Sequence, residues 1–322
     1  MNFELYNKSV SEISVLVPSY NHAPFVERTL HSIFAQTHAP KKLIVIDDGS
    51  KDESAAIIER VLQDCPFENE FIRRENRGLC ATLNEGFAKT DGEFFAYLGS
   101  DDIWLPEFLE KQIGLLNTRP KAVLAFGHAF WIDENEQIID RTDNWTEFAD
   151  GDALPMLLRG EIFSSPSVVY CRSALEKHKW NENSRLEDYE LYLKLATDGE
   201  FARNEEILCA WRQHGANTSD DTALMLAEMI AAQNRLSDKL KISREELAKI
   251  QKEVKFEAVF NHVRHGHRRE AAWLFLQNLG GAKSPIQIAK MLFRLSIPPT
   301  IFQWNRARKR REAIEKYGKL EI

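Results

Sequence analysis

The feature that most constrains the fold is a rhythm in the first two thirds of the chain. Short, almost wholly apolar runs alternate there with amphipathic stretches. Ile13–Val17, Leu43–Ile46, Phe71–Arg73 and Phe94–Leu98 are strand-length runs. Between them, Phe25–Gln36, Glu53–Gln63 and Cys80–Lys89 carry helical spacing. In the first of these helices Phe25, Thr29, Ile33 and Phe34 share one side, and Pro24 suits its first position. The alternation predicts βαβ units and an α/β fold built on a mostly parallel sheet. Helices cover both faces of such a sheet, so its strands read as continuous apolar runs rather than as alternating ones. A helix over Leu105–Asn117 follows, then a long apolar stretch, Ala122–Ile132, a turn at Asp133–Gln137 and a return strand from Ile138. Ser167–Tyr170 and Ile207–Trp211 are further short strands.

From about Asp221 the strand signal ends. Residues 221–240, 244–264, 268–279 and 284–296 read as helices, and Ser243-Arg-Glu-Glu246 is a capping box opening the second of them. The chain therefore divides near residue 220 into an α/β part, 1–220, and an all-helical part, 221–322. Charge divides at the same place. Residues 221–322 hold 20 Lys and Arg against 11 Asp and Glu, a net +9, whereas residues 1–220 hold 22 against 38, a net −16. The acidic part lacks the basic face that nucleic-acid binding needs, so no nucleic-acid partner is expected. The N-terminus shows no basic segment followed by an apolar run, and no stretch of about 18 apolar residues occurs. Cys65, Cys80, Cys171 and Cys209 match no zinc spacing and read as reduced thiols, which points to a cytoplasmic protein.

Open α/β sheets bind ligands beyond the carboxyl ends of their strands. Pro18-Ser-Tyr-Asn21 follows the first strand, Asp47-Asp-Gly-Ser50 the second, and Gly99-Ser-Asp-Asp102 the fourth. Each piece alone also reads as a turn or a helix cap. Together they set paired carboxylates on one edge, an arrangement that repels itself unless a cation or ligand offsets the charge. Oxygen ligands of this kind suit Mg2+ or Mn2+. No G-x-G-x-x-G follows the first strand and no P-loop occurs, which removes the main support for a dinucleotide oxidoreductase or a P-loop NTPase.

Val15-Leu-Val-Pro-Ser-Tyr-Asn21, Val45-Ile-Asp-Asp-Gly-Ser50, Asn76-Arg-Gly78 with Asn84 and Gly86, and Leu98-Gly-Ser-Asp-Asp102 resemble glycosyltransferase family 2 in order and spacing. Glu187-Asp-Tyr-Glu-Leu191, Trp211-Arg-Gln-His214 and Asn217-Thr-Ser219 agree with it. The resemblance covers residues 12–220. It implies a GT-A fold, with a nucleotide-sugar-binding half over about 12–120 and an acceptor half over about 121–220. It also implies a nucleotide-diphosphate sugar donor, a divalent metal and inversion at the anomeric carbon. By position, Pro18 and Tyr20 would flank the nucleobase, with Asn21 beside them. Asp48 would hydrogen-bond the base, Arg77 would lie by the nucleotide, Asp101 would touch the ribose or donor sugar, and Asp102 would ligate the metal. Many members carry Asp where this chain has Gly99.

Leu186, Tyr189, Leu193 and Ala196 fall at helical spacing. Ser184-Arg-Leu-Glu187 fits a capping box, which gives Glu187 a structural role. Asp188 then sits in the first turn, where the helix dipole favours its ionised form. The resemblance places the general base at Asp188. His214 would ligate the metal or hold the diphosphate, with Arg212 as a charge partner. Trp104, Trp131 and Trp211 serve either core packing or sugar stacking.

Residues 286–304 are rich in apolar side chains, interrupted by Pro298-Pro299, and Asn305-Arg-Ala-Arg-Lys-Arg-Arg311 follows. Two readings stand for 284–311: an interfacial segment on an anionic membrane, or a helix packed on the protein with a solvated basic end. The expected function is transfer of a hexosyl or N-acetylhexosaminyl group from a UDP-sugar to a glycan or lipid-linked glycan acceptor in surface polysaccharide, lipopolysaccharide or lipid-linked oligosaccharide synthesis. A sugar-nucleotide-binding protein without catalysis and a nucleotidyltransferase are the other classes. The latter wants a Gly-rich basic loop, which Pro18-Ser-Tyr-Asn-His22 does not supply.

Overall fold

The computed structural model describes residues 11–215 and 221–321. The first ten residues, Asn217-Thr-Ser219 and the division at residue 220 lie outside them. The first half follows the sequence rhythm: β1 (Ile13–Ser19), α1 (Val26–Phe34), β2 (Lys42–Asp47), α2 (Ser54–Val61), β3 (Glu68–Arg73), α3 (Leu79–Ala88) and β4 (Phe94–Tyr97). α1 starts later than its apolar pattern suggests. Phe25 is its N-cap, and the Phe25 and Val26 amides both donate to the His22 carbonyl, at 2.9 and 3.0 Å. Pro24 therefore sits in this tight turn and not at the first helical position.

After β4 come β5 (Ile103–Trp104), α4 (Phe108–Thr118), β6 (Ala122–Gly127), β7 (Phe130–Ile132), β8 (Ile138–Arg141) and α5 (Leu154–Leu158). β9 (Val169–Cys171), α6 (Arg172–Leu175), α7 (Glu187–Asp198), β10 (Glu200–Asn204) and β11 (Cys209–Arg212) complete the α/β part. The long apolar stretch is thus two strands, β6 and β7, that belong to different sheets. The main sheet has the order β10-β6-β9-β4-β1-β2-β3, parallel except for β9, which runs antiparallel to both neighbours. A smaller sheet, β5-β11-β7-β8, lies beside it.

Every residue of β1 is buried, and its side chains split by the period of two. Ile13, Val15 and Val17 pack with α1, α2 and α4 on one face, while Leu16 joins Ile44, Ile46 and the residues of α3 and α7 on the other. Full burial of each such side chain stabilises the fold by roughly 1.5–3 kcal/mol.

The helical part comprises α8 (Thr222–Leu236), α9 (Arg244–Arg264), α10 (Arg268–Gln277), α11 (Pro285–Ser296) and α12 (Pro299–Tyr317). Ser243 caps α9, accepting from the Glu246 amide at 3.0 Å. Met229, Ala232 and Leu236 of α8 share the core of Tyr189 and Leu193 on α7, and Gln233 Nε2 donates to the Tyr189 hydroxyl at 2.7 Å. The lower half of α9 forms a second core with α10 and α11, around Phe256, Val259, Phe275 and Met291. α12 continues beyond Pro298-Pro299 and turns back to the small sheet. There the Ile138 amide donates to the Gly318 carbonyl at 3.0 Å, and Leu320 packs with Ile132 and Ile138.

Candidate active site

β1 and β2 end level, with Ser19 opposite Asp47, so the loops that follow them meet. Asn21 adopts a left-handed conformation at φ 55°, and its side-chain oxygen accepts from the Lys51 amide at 2.7 Å. Asn21 is therefore committed to holding the Asp47–Ser50 turn. Gly49 lies at φ 81°, and a Cβ there would stand 2.7 Å from the Asn76 nitrogen, so only glycine lets the two loops touch. That approach brings Asp48 to the Arg77 and Gly78 amides, which donate to its carboxylate at 2.9 and 2.8 Å, and to the Arg74 guanidinium. The Arg77 side chain donates to Glu85 at 3.2 Å. Pro18 is buried within β1, whereas the Tyr20 ring is 44% exposed, so Tyr20 alone of the pair offers a face to a base.

The loop after β4 divides its two carboxylates. Asp101 Oδ2 lies 2.9 Å from His214 Nε2 and its Oδ1 lies 3.6 Å from His22 Nδ1. Ligand atoms of His22, Asp101 and His214 all fall within 4.8 Å of one another, the described grouping suited to a cation. Asp102 turns inward instead. It is buried and accepts the Arg212 amide at 2.9 Å. Burial would raise the Asp101 carboxyl, but the hydrogen bond from His214 and the charges of His22 and His214 outweigh it and hold Asp101 below the usual range. Burial, then the Asp101 charge, pushes Asp102 well above it. The His22 ring is shifted down by burial against the pull of Asp101, which keeps a lone pair available. One carboxylate and two imidazoles so placed could hold a divalent metal ion.

Arg212 is 1% exposed. Its Nε donates to the Asp101 carbonyl at 2.7 Å, its Nη1 to the Asp133 carbonyl at 3.1 Å, and its guanidinium lies 4.9 Å over Phe25. It clamps the Asp101-Asp102 loop from within the protein and pairs with Glu136 at 3.6 Å. Asp133 also takes Arg310 of α12 at 2.6 Å, so the basic helix touches the rim of this site.

Glu187 and Asp188 open α7 into a cleft of about 660 Å3, lined also by Gly78, Ser164, Arg185 and Trp211. The capping box expected at Ser184 is absent. Leu186 is the N-cap, Glu187 is the first helical residue, and the Ser184 hydroxyl lies 3.1 Å from both the Leu186 carbonyl and Glu228 of α8. Asp188 is buried, and its Oδ1 has no hydrogen-bond partner. Burial, then the neighbouring Glu187 charge, drives its carboxyl well above the usual range. The dipole argument predicts the opposite sign. A helix terminus contributes about 0.3–1 kcal/mol, whereas full burial shifts a carboxyl by up to about 3–5 units, so burial wins.

Residues 14–179 match the model of glycosyl transferase family 2. The chain belongs to that family. An uncharacterized glycosyltransferase of Nostoc sp. is 30% identical over 230 residues, which is 68% of this chain and 70% of the relative. Another, of Rickettsia conorii, is 29% identical over 219 residues, 64% of this chain, and the matched part spans only 35% of that relative's length. Among solved structures, the mannosyltransferase PcManGT from Pyrobaculum calidifontis, in complex with GDP-Man and Mn2+, has a TM-score of 0.63 at 16% identity, covering 96% of this chain and 87% of that one. TarS 1–349 of S. aureus, in complex with UDP-GlcNAc, has a TM-score of 0.63 at 16% identity, covering 95% and 91%. These likenesses show the GT-A fold.

In this family 2 glycosyltransferase the structure brings Tyr20, Asp48, Asp101, His214, Glu187 and Asp188 to the loops at the carboxyl edge and the adjoining cleft. It places Pro18, Asn21, Asp102 and Arg212 in structural contacts, while Arg77 pairs with Glu85 and still borders the cleft. Sequence reasoning missed His22 and Arg74. His22 stands one residue past the motif after β1, which was a usable signal. Arg74 stands two residues before Asn76-Arg-Gly78, and only the fold reveals its reach to Asp48. Gly99 is also explained: a Cβ there would lie 2.9 Å from Asp101 Oδ1 and 3.1 Å from Asp102 Oδ2, so glycine leaves room for both carboxylates.

Proposed function

We propose that this glycosyltransferase is an inverting enzyme that moves a sugar from a nucleotide-diphosphate sugar, a UDP-sugar in our reading, to a hydroxyl of a glycan acceptor. The observation that carries the proposal is Asp188, a buried carboxyl with a bare oxygen, at a helix start, lining a cleft of about 660 Å3. Once ionised, a carboxylate whose pKa is raised by burial is a stronger base than an ordinary one. Asp188 takes the proton of the acceptor hydroxyl. The freed oxygen bonds to the anomeric carbon while the bond from that carbon to the diphosphate oxygen breaks, and the nucleoside diphosphate leaves with the electron pair. Attack opposite the leaving group inverts the centre.

His22, Asp101 and His214 would hold the divalent ion, with Asp102 and Arg212 fixing the loop behind them. When bound, that ion would offset the negative charge of the diphosphate. Tyr20 and Asp48 would receive the nucleobase, and Arg77 and Gly78 would border the nucleotide. The ligands named for PcManGT and TarS, a nucleotide sugar in each and Mn2+ in one, support this reading. We place the division between the catalytic and helical parts near residue 220.

We further propose that the acceptor is a lipid-linked or surface glycan and that 284–311 rests on the cytoplasmic face of the membrane. No helix among the described residues is long and apolar enough to cross a membrane. Ile286, Phe293, Ile301 and Trp304 are exposed, and Arg306, Arg308, Lys309 and Arg311 follow them. Calorimetry of UDP- and GDP-sugars with Mn2+, followed by NMR of the anomeric proton in the product, tests the reaction. Binding of one donor and an inverted product are expected. Absence of any binding, or a retained configuration, would overturn the proposal.

A further inference from the structure

Three tryptophans from separate segments meet beside the cleft. Trp131 on β7 and Trp211 on β11 are cross-strand neighbours with ring centroids 6.4 Å apart. Trp145, just past β8, stands edge-on to Trp131 at 4.9 Å and 89°, and 6.5 Å from Trp211. Strand alternation explains why Trp131 and Trp211 share a face, and the turn after β8 brings Trp145 beside them. Phe130, Ile132 and Ala210, the residues on either side, belong to the small core under the sheet. Trp211 also lines the cleft that holds Asp188, so the aromatic surface runs directly into the proposed site of transfer.

Trp145 is 47% exposed. Its exposure is not looseness. Its Nε1 donates to Asp140 Oδ2 at 2.8 Å, and Asp140 Oδ1 is held in turn by the Arg141 amide and Asn144 Nδ2, both at 2.8 Å. Asp140 stands opposite Trp131 in the β7–β8 ladder. The indole N–H is thus already satisfied, and the ring face is what remains to recognise a ligand. Trp104 shows the contrast. It is fully buried, stacked on Phe108 at 4.5 Å, and its Nε1 donates to the Pro166 carbonyl at 2.7 Å. Trp104 is core, whereas Trp131 and Trp211 are half-buried at its edge and Trp145 is exposed beside them.

A fixed aromatic face with a carboxylate at its edge complements a pyranose. The ring's C–H face is apolar and packs on the indole, while its equatorial hydroxyls reach polar groups around it. We propose that Trp131, Trp145 and Trp211 form an acceptor subsite that stacks a sugar ring of the glycan next to the residue whose hydroxyl meets Asp188. This rests on the transfer reading above. It gives the acceptor a platform distinct from the donor loops at Tyr20 and Asp48.

The test is titration of the full chain with cellobiose, lactose, chitobiose and mannobiose separately, read by tryptophan fluorescence and by saturation-transfer NMR. At least one disaccharide is expected to bind at millimolar concentration and to quench the emission. Trp145→Phe should keep that affinity, and Trp145→Leu, which keeps bulk but no aromatic face, should weaken it about tenfold, the scale of one aromatic contact. Binding of none of the four to the unmodified chain overturns the subsite, and so does equal affinity in the Leu and Phe variants. UDP with Mn2+, titrated on the same unmodified protein, reports the donor reading by itself. A chain that binds UDP but no saccharide loses the platform alone, and a chain that binds saccharide but no nucleotide loses the transferase proposal.

Discussion

His214 Nε2 sits 2.9 Å from Asp101 Oδ2, joining residues 113 positions apart in the chain. β11 delivers the histidine and the loop after β4 delivers the carboxylate. The Arg212 amide holds Asp102 two residues before His214, so the same segment that presents the imidazole also turns Asp102 away from it. The metal site proposed above therefore takes Asp101 and His22 as ligands and leaves Asp102 as their buried support.

Exchange of the two aspartates separates the roles. Asp101→Asn is expected to weaken Mn2+ binding by more than about 10–100-fold, the loss typical of disturbing even an outer-shell partner. Asp102→Asn keeps an oxygen to accept the Arg212 amide and should retain most of the affinity. Paramagnetic resonance of free Mn2+ during titration measures both. Equal losses would return Asp102 to the coordination sphere.

Asp188→Asn should leave UDP affinity unchanged and lower transfer by about 10²–10⁴-fold, the range of general-base assistance. The same substitution should raise the melting temperature at neutral pH. The Asp188 carboxyl titrates well above its usual range, so the fold favours its neutral form. The folded state then binds more protons than the unfolded one once pH exceeds about 3.9, and stability falls as pH rises from there toward the folded pKa. Asn stays neutral and escapes that loss, and its advantage should vanish in acid. Thermal melts across pH decide the point, and a variant that is less stable at neutral pH would contradict the burial argument.

The acid limb of kcat/KM should lie above the ordinary carboxylate range, because the working base must be ionised and burial opposes this. Glu187 contributes to the upward shift by its charge. Glu187→Gln should therefore move the limb to lower pH. A pH profile of both proteins checks the direction, and an unmoved or raised limb would argue against Asp188 as the titrating group.

Three arginines and lysines of α12 test the membrane proposal. Arg310 is excluded because it pairs with Asp133. Replacing Arg308, Lys309 and Arg311 with Gln should lower affinity for vesicles containing phosphatidylserine by roughly a hundredfold, at about 1 kcal/mol per charge. Sedimentation with vesicles at low and high salt reads this, since screening should weaken binding. Failure of the unmodified chain to bind at low salt would show that the basic helix serves the protein alone.

Local pattern determined much of this molecule. The apolar runs from Ile13 to Leu98 carry enough periodicity to specify parallel strands, and the polar residues after them had to gather on one edge. Helix α9 and its Ser243 cap depend on neighbours in sequence and were equally legible. β10, Glu200–Asn204, was not, because a half-exposed edge strand keeps polar residues and loses the apolar run. Nor was α12, since Pro298-Pro299 reads as a stop but also suits a fresh helix start. What tertiary structure alone decided is which way adjacent side chains turn and how dry they become. Asp101 and Asp102 are alike in sequence, and the amide of Arg212 tells them apart. The first-turn position of Asp188 favours a low pKa, yet the surrounding core removes its water and reverses the sign. Burial and pairing are set by residues a hundred positions away, so no local reading of the chain can supply them.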